Sequence, residues 1–351
     1  MNKRRFLSIL LILAIIMAWS GTAMGNDWAT FKTEFVSRDG RVIDHLNGAI
    51  SHSEGQGYAM FLAVHHNDRA TFDAVWAWTK DNLQVRGSDH LLAWKWGQRK
   101  SGRWAIIDLN NATDGDILVA WALLRAGNKW QDDSLVQEAS SLATEVLHAL
   151  QCTWQELVLI MPGYFGFNGT DEIIINPSYF IFPAFQDFAT AWPDQAGQWQ
   201  QILADGILIL DRLAFTPLAL PPDWARLTPE TARVDESRSP WFGYDAIRIP
   251  LYLALAGKQD ALRAYIPFLD TMERIGYLPR GVDLIRSTVH LEPGPAGFYA
   301  VLARVAGDLD RETQAESLRK QAIEHLLHES SDYYSFVLYL LADLETGTDV
   351  R

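Results

Sequence analysis

The chain has 351 residues, of which 48% are hydrophobic and 21% charged, so it is neither a disordered chain nor a low-complexity scaffold. Its formal net charge of −13 argues against binding to nucleic acid, because phosphate contacts need a basic surface. The single cysteine, Cys152, excludes a disulfide framework and a cysteine-ligated metal site, whereas the 14 tryptophans suit ligands with apolar faces, such as sugars.

The first 25 residues have the layout of a secretory signal peptide. Basic residues at positions 3–5 precede a mainly apolar run over 6–19, and small residues follow over 20–25. The apolar run is shorter than the roughly 20 residues of a transmembrane helix. We expect residues 1–25 to be removed and the mature protein, 26–351, to be periplasmic or secreted without membrane insertion. The alternative is an uncleaved N-terminal anchor.

Helical periodicity dominates the mature chain, since apolar residues recur at three- and four-residue spacing. This spacing predicts helices over 57–66, 71–83, 115–126, 134–150, 177–189, 198–213, 243–256, 260–273, 295–306, 311–327 and 332–344. Only two short segments, 157–161 and 172–175, are candidate strands. The predicted fold class is therefore all-α.

Two kinds of predicted helix alternate along the chain. Segments rich in glycine, alanine and aromatic residues begin near positions 55, 115, 177, 243, 293 and 333, and more charged helices lie between them. An inner ring of helices would be buried on all sides, and an outer ring would be amphipathic. No linker divides the chain, so we expect a single domain over 26–351 built as a double ring of helix hairpins.

Polar and aromatic residues stand at the starts of most of the apolar helices: Glu54, Asp114 with Asp116, Asn176 with Ser178, Tyr244 with Asp245, and Asp332 to Tyr334. Parallel inner helices would bring these starts together at one mouth of the ring. Each also has a structural explanation, such as a capping box at Glu54, the helix dipole at Asp114 or an Asp245–Arg248 ion pair. Three carboxyl groups at equivalent positions favour a catalytic role.

A pair of carboxyl groups fits glycoside hydrolysis, in which one must be protonated and the other ionised. Glu54 has no cation nearby in the sequence, so we expect desolvation to favour its protonated form. Arg248 lies three residues after Asp245 and should favour the ionised form of that carboxyl. Glu54 is therefore the candidate acid and Asp245 the candidate base, with no metal expected.

Three segments resemble those of glycoside hydrolase family 8, the older cellulase family D. Residues 112–130 resemble the family signature, with Val119 where isoleucine or methionine is usual. Residues 53–58 and 244–248 resemble the segments that carry the general acid and the general base. The resemblance implies that Glu54 is the acid, that Asp245 is the base and that Asp114 holds the sugar at the cleavage point.

Further segments, over 40–44, 92–97, 176–179 and 332–334, resemble the periplasmic members of the family that accompany bacterial cellulose synthase. The resemblance, which spans 28–344, implies an (α/α)6 barrel of six inner and six outer helices with few short strands in its loops. It implies inverting hydrolysis of internal bonds of a β-1,4-glucan without cofactors. We expect the protein to be a monomer. A cellulose synthase or export complex is a candidate partner.

The candidate substrate-binding residues are Tyr244, Arg248, Trp94, Trp96, Asn176, Tyr179 and Tyr333. Trp94 and Trp96 are two residues apart, so in an extended segment both would face one way and could stack on glucose units; core packing is the alternative. Two other functions stay open. The protein could be a xylanase or mixed-linkage glucanase of the same family, or a non-catalytic glycan-binding subunit of an exopolysaccharide export system.

Overall fold

A computed structural model describes residues 27–329 and 331–344 of the chain. The predicted signal peptide lies outside this part. Its helices are, in chain order, α1 (27–35), α2 (Ser53–His65), α3 (Arg69–Asn82), α4 (Thr113–Trp130), α5 (Asp133–Leu150), α6 (Phe182–Ala191), α7 (Ala196–Arg212), α8 (Arg248–Leu255), α9 (Gln259–Leu262), α10 (Ile266–Ile275), α11 (Ala296–Asp308), α12 (Glu312–Leu326) and α13 (Tyr333–Ala342).

The helices form two classes by burial, as the sequence predicts. Eleven of the 13 residues of α2 are buried, whereas only three of the 15 residues of α12 are. The inner class comprises α2, α4, α6, α8, α11 and α13, and the other helices lie outside them. At Gly57 the inner helices α2 and α4 approach so closely that a Cβ atom would lie 2.6 Å from the Cβ of Leu118. The predicted (α/α)6 barrel is confirmed.

Helix α1, which completes the outer ring, is absent from the sequence-based prediction. Its aromatic residues Trp28, Phe31 and Phe35 are buried and recur at helical spacing. The rings of Phe31 and Phe35 pack against Phe336 of α13, at centroid distances of 6.1 and 5.9 Å. This aromatic spacing is the signal that would have identified the helix.

Three predicted helices differ from the observed ones. The segment 177–189 is divided into a 3₁₀ turn, Pro177–Tyr179, and α6, while 260–273 is divided between α9, a second 3₁₀ turn and α10. Prolines stand in the first turns of α6 and α10, where a missing backbone N–H costs least. The predicted helix 243–256 begins only at Arg248, and turns precede it. Asp245 therefore lies in a turn that leads into α8.

The strands are short and lie in loops between helices: β1 (Ser51–His52), β2 (Lys95–Gln98), β3 (Trp104–Asp108), β4 (Gln151–Trp154), β5 (Leu157–Ile160), β6 (Ile173–Ile175), β7 (Ala225–Leu227), β8 (Ala232–Val234), β9 (Trp241–Phe242), β10 (Val282–Asp283) and β11 (Thr288–Val289). The two predicted strands correspond to β5 and β6. In the antiparallel sheet β1–β2–β3, strand β1 directly precedes α2, and His52 of β1 and Lys95 of β2 line the cleft described below.

Candidate active site

The starts of the inner helices meet around one open cleft of about 680 Å³. Side chains from five of these starts line it: Glu54 of α2, Asp114 of α4, Tyr179 before α6, Asp245 and Arg248 at α8, and Tyr333 of α13. The prediction that these helix starts share one mouth is confirmed. The fifth inner helix, α11, contributes no lining residue among those described.

One buried arginine connects the three carboxyl groups. The side chain of Arg248 is only 2% exposed. Its Nη1 donates to Glu54 Oε1 and, at 3.0 Å, to Asp114 Oδ2. Its Nη2 donates to Asp245 Oδ1 and to Ser178 Oγ, both at 2.8 Å. Glu54 and Asp245 thus bind different ends of one guanidinium group, and a single cation serves three acids.

This arrangement corrects the electrostatic reasoning from the sequence. The expectation that Glu54 has no cation nearby is wrong, because Arg248, 194 residues away in the chain, donates to it. The expectation that Arg248 favours the ionised form of Asp245 is confirmed, but the net shift of the pKa is upward. Burial raises the pKa of that carboxyl, and the attraction of Arg248 only partly offsets the rise, to which the Glu54 charge adds.

Asp114 is the most enclosed of the three carboxyl groups, with 4% of its side chain exposed. Burial and the charge of Glu54 raise its pKa to about 7, against the effect of Arg248. Its Oδ1 accepts a hydrogen bond from the backbone N–H of Gly115 at 2.8 Å. The Asp114 side chain is therefore held in one orientation and changes protonation near neutral pH.

Both oxygens of Asp245 have hydrogen-bond donors. Arg248 binds Oδ1, and Trp224 Nε1 donates to Oδ2 at 3.0 Å. The buried side chain of Asp223 accepts hydrogen bonds from the backbone N–H groups of Gly243 and Ala246 at 2.9 and 2.8 Å. These two bonds fix the turn that carries Asp245. Burial and the Asp245 charge raise the pKa of Asp223 to about 7.

Sequence reasoning missed Asp223 and Trp224, which follow two prolines in a segment that reads only as a loop. It missed the role of Ser178 as well. Nothing in the local sequence marks these residues, because the contacts that give them a role connect distant segments.

The two tryptophans of the 92–97 segment are separated. Trp94 lines the cleft, but Trp96 does not. Trp94 lies at a bend directly before β2, whereas Trp96 lies within that strand, so the two residues do not share one extended segment. Trp96 instead packs against Trp78 and Trp104, at centroid distances of 5.4 and 5.2 Å. The expectation that both tryptophans face one surface is therefore wrong.

Tyr179, Tyr244 and Tyr333 all line the cleft, as the sequence analysis expects of substrate-binding residues. Tyr244 is 41% exposed, so it is accessible to a ligand. Tyr333 is buried, and its hydroxyl is one of the buried polar atoms without a hydrogen-bond partner in the described structure.

Asn176 is placed differently from the expectation. It is fully buried and does not line the cleft. Its Oδ1 accepts from the backbone N–H and the hydroxyl of Ser178, at 3.0 and 2.7 Å. Ser178 in turn accepts a hydrogen bond from Arg248, so Asn176 orients the hydroxyl group that binds the guanidinium group.

The residue directly before α2 is a further one that sequence reasoning missed. The expected capping box at Glu54 does not form, and the N-cap is His52, whose Nδ1 accepts from the N–H of Gly55 at 3.1 Å. His52 also lines the cleft.

Over residues 27–329 and 331–344, no group of three or more His, Cys, Asp or Glu side chains is arranged to hold a metal ion. In the same part of the chain, no helix combines the length and apolar character of a membrane span.

A pair of carboxyl groups in one cleft at the mouth of a helical barrel is the arrangement that glycoside hydrolysis requires. The sequence matches the family described as Glycosyl hydrolases family 8 over residues 1–348, and the chain belongs to this family.

Relatives and solved structures agree with this assignment. The chain is 37% identical to an endoglucanase of Cellulomonas uda, over 75% of this chain and 72% of that protein. It is 35% identical to a probable endoglucanase of Novacetimonas hansenii, over 91% and 90%. The structure of the endo-β-1,4-glucanase CMCax from Acetobacter xylinum superposes with a TM-score of 0.79 at 34% identity, covering 91% of this chain and 96% of that one.

Proposed function

We propose that the mature protein is an inverting endo-β-1,4-glucanase that cleaves internal bonds of a β-1,4-glucan chain. The observation that carries the proposal is the placement of Glu54 and Asp245 on different nitrogens of Arg248 in one open cleft. An open cleft admits a chain that continues in both directions, as internal cleavage requires. The endoglucanase names of the relatives support the substrate class.

In the proposed reaction Glu54 donates its proton to the glycosidic oxygen as the bond to the anomeric carbon breaks. Asp245 takes a proton from a water molecule that attacks the opposite face of the sugar, which inverts the configuration. Glu54 ends ionised and Asp245 ends protonated. Arg248 stabilises the charge that develops on Glu54, because it already contacts that carboxyl group.

The other lining residues would position the chain. Asp114, held by Arg248 and by the N–H of Gly115, would bind hydroxyl groups of the sugar at the cleavage point. The exposed ring of Tyr244 and the face of Trp94 offer apolar surfaces on which glucose rings can stack. Tyr179 and Tyr333 would complete the walls of the cleft.

The remaining properties rest on the sequence and on the relatives. We propose that residues 26–351 form one catalytic domain, exported after removal of residues 1–25 to the periplasm or beyond, and that it acts as a monomer. A cellulose synthase or export complex is the proposed partner, since the segments over 92–97 and 332–334 resemble those of family members that accompany cellulose synthase.

The proposal is tested by incubating the mature protein with cellohexaose, xylohexaose and a mixed-linkage glucan and separating the products by chain length. We expect cellohexaose to yield internal fragments, and the Glu54→Gln variant to yield none. Preferred cleavage of xylohexaose or of the mixed-linkage glucan would replace the substrate assignment. Binding of cellohexaose without turnover would replace the enzyme by a glycan-binding subunit.

A further inference from the structure

Asp116 is a buried carboxyl group in the first turn of α4 that the proposed mechanism does not use. The residue is fully buried and does not line the cleft, whereas Asp114, two residues earlier, does line it. Residues two apart on a helix point about 200° apart around its axis, so the two side chains diverge. The role of Asp116 therefore lies in the contacts that it makes away from the cleft.

The two oxygens of Asp116 bind two different segments of the chain. Oδ1 accepts from the backbone N–H of Leu92 at 2.8 Å, and Oδ2 accepts from Nδ2 of Asn111 at 2.7 Å. The Oδ1 of Asn111 in turn accepts from the backbone N–H of Tyr164 at 2.6 Å. Leu92 and Asn111 are both buried, so loss of the carboxyl group would leave each of them with a donor that water cannot readily satisfy.

The segment held through Leu92 carries Trp94, the tryptophan that lines the cleft. The backbone carbonyl of Trp94 accepts from the N–H of Ser53 at 3.1 Å, and Ser53 directly precedes Glu54 in α2. The Trp94 segment is thus bonded to α2 on one side and, through Asp116, to α4 on the other.

We propose that Asp116 is a positioning residue for substrate binding, which fixes the place of Trp94 relative to Glu54 and Asp114. This inference rests on the proposed function, in which a glucose ring of the chain stacks on Trp94. The contact that Asp116 controls is an apolar one with the sugar, and no reacting atom takes part in it. Asp116 therefore determines the affinity for the glucan chain and not the rate of the bond-breaking step.

The test is Asp116→Asn, which preserves the size of the side chain. Both oxygens of a carboxyl group can accept hydrogen bonds in either protonation state, whereas an amide nitrogen accepts none. In the variant one donor, the N–H of Leu92 or the amide of Asn111, therefore meets a second donor. We expect KM for cellohexaose to rise about fivefold, within the roughly 10-fold rise expected of Trp94→Ala, and kcat to stay within about twofold.

The contact between positions 111 and 116 offers a rescue. The double substitution Asn111→Asp with Asp116→Asn exchanges the amide and the carboxyl group. The amide at position 116 can then accept from the N–H of Leu92 and donate to the carboxyl group at position 111, which also accepts from the N–H of Tyr164. We expect KM of the double variant to return to within about twofold of the wild type. A KM as high as in Asp116→Asn would overturn the proposal.

A double-mutant cycle shows whether Asp116 acts through Trp94. Addition of Asp116→Asn to Trp94→Ala should change KM by less than about twofold, because the group that Asp116 positions is already gone. A further rise as large as in the wild-type background would contradict the proposed coupling.

Asp205→Asn is the matched control. Asp205 is a buried carboxyl group of the outer helix α7 that also accepts from one backbone N–H, of Val158 at 2.7 Å, and from one side-chain amide, of Gln201 at 2.8 Å. None of these three residues lines the cleft, so the control should lower Tm and leave KM unchanged. A lower Tm with unchanged KM in Asp116→Asn as well would show a structural role only and overturn the proposal.

Two further measurements cover a variant that does not fold and an enzyme that does not turn over. If Asp116→Asn does not fold, Asn111→Ala replaces it, since it removes one of the two contacts of the carboxyl group; a raised KM supports the proposal and an unchanged KM overturns it. Absence of cellohexaose hydrolysis by the wild type would contradict the proposed function. The Kd of cellohexaose from calorimetry then replaces KM, and equal Kd values for the wild type and Asp116→Asn would overturn this inference separately.

Discussion

Replacement of Arg248 by methionine tests the electrostatic centre of the site. The substitution removes the side chain that donates to Glu54, Asp114 and Asp245 and leaves three enclosed carboxyl groups without their cation. Breaking a buried ion pair by removing one partner costs about 3–5 kcal/mol. We expect a loss of this size in the free energy of unfolding at pH 8.

The loss should depend on pH in a defined direction. Without the cation the pKa values of Asp114 and Asp245 rise further. A carboxyl group whose pKa is higher in the folded protein than in the unfolded chain lowers the free energy of unfolding only where the unfolded chain has lost that proton. The difference between variant and wild type is therefore absent where these carboxyl groups are protonated in both folded proteins, and it grows as the pH rises through the wild-type pKa of Asp114, about 7.

The assay is urea unfolding of Arg248→Met and the wild type at pH 4.5 and pH 8. Arg248→Lys is the control, because it restores the positive charge but not the guanidinium group with its two donating nitrogens. It should recover most of the pH-dependent part of the lost free energy of unfolding. A loss below about 1 kcal/mol at pH 8, or an equal loss at both pH values, would refute the view that Arg248 neutralises a buried carboxyl cluster.

Three further predictions follow from individual contacts. Glu54→Gln and Asp245→Asn should bind cellohexaose in calorimetry but lose about 10²–10⁴-fold in kcat; near-full activity of either would remove its assigned role. Trp94→Ala should raise KM about 10-fold whereas Trp96→Ala should not, and equal effects on KM would contradict the finding that only Trp94 of the two lines the cleft. Burial raises the pKa of Asp116 to about 8, so wild-type stability should fall between about pH 4 and 8; Asp116→Asn should flatten the dependence of Tm on pH, and an unchanged slope would contradict that shift.

The fold could be predicted from the sequence because burial imposes a different pattern on each ring. The inner helix α2 is apolar on all sides and the outer helix α12 is mostly polar, and both patterns are local. The boundaries of the helices could be predicted less well from the sequence. The turns before α8 depend on Asp223, which binds backbone groups 20 and 23 residues further along the chain.

The residues of the site could be proposed from the sequence more readily than their electrostatics. Glu54 and Asp245 were identified as the pair of carboxyl groups, and both line the cleft. Their relation to Arg248 could not be foreseen for Glu54, since the two residues meet only after the barrel closes. Trp94 and Trp96 do not share one extended segment, because Trp94 lies at a bend before β2, and period-two reasoning does not anticipate that bend.

The most direct test of the account follows the anomeric protons by NMR while the mature protein cleaves cellohexaose. A pair of carboxyl groups acting as acid and base through a water molecule predicts that the newly formed reducing ends appear first as the α-anomer and then equilibrate. Initial appearance of the β-anomer would show that configuration is retained, and Asp245 would then act as a nucleophile instead of activating water.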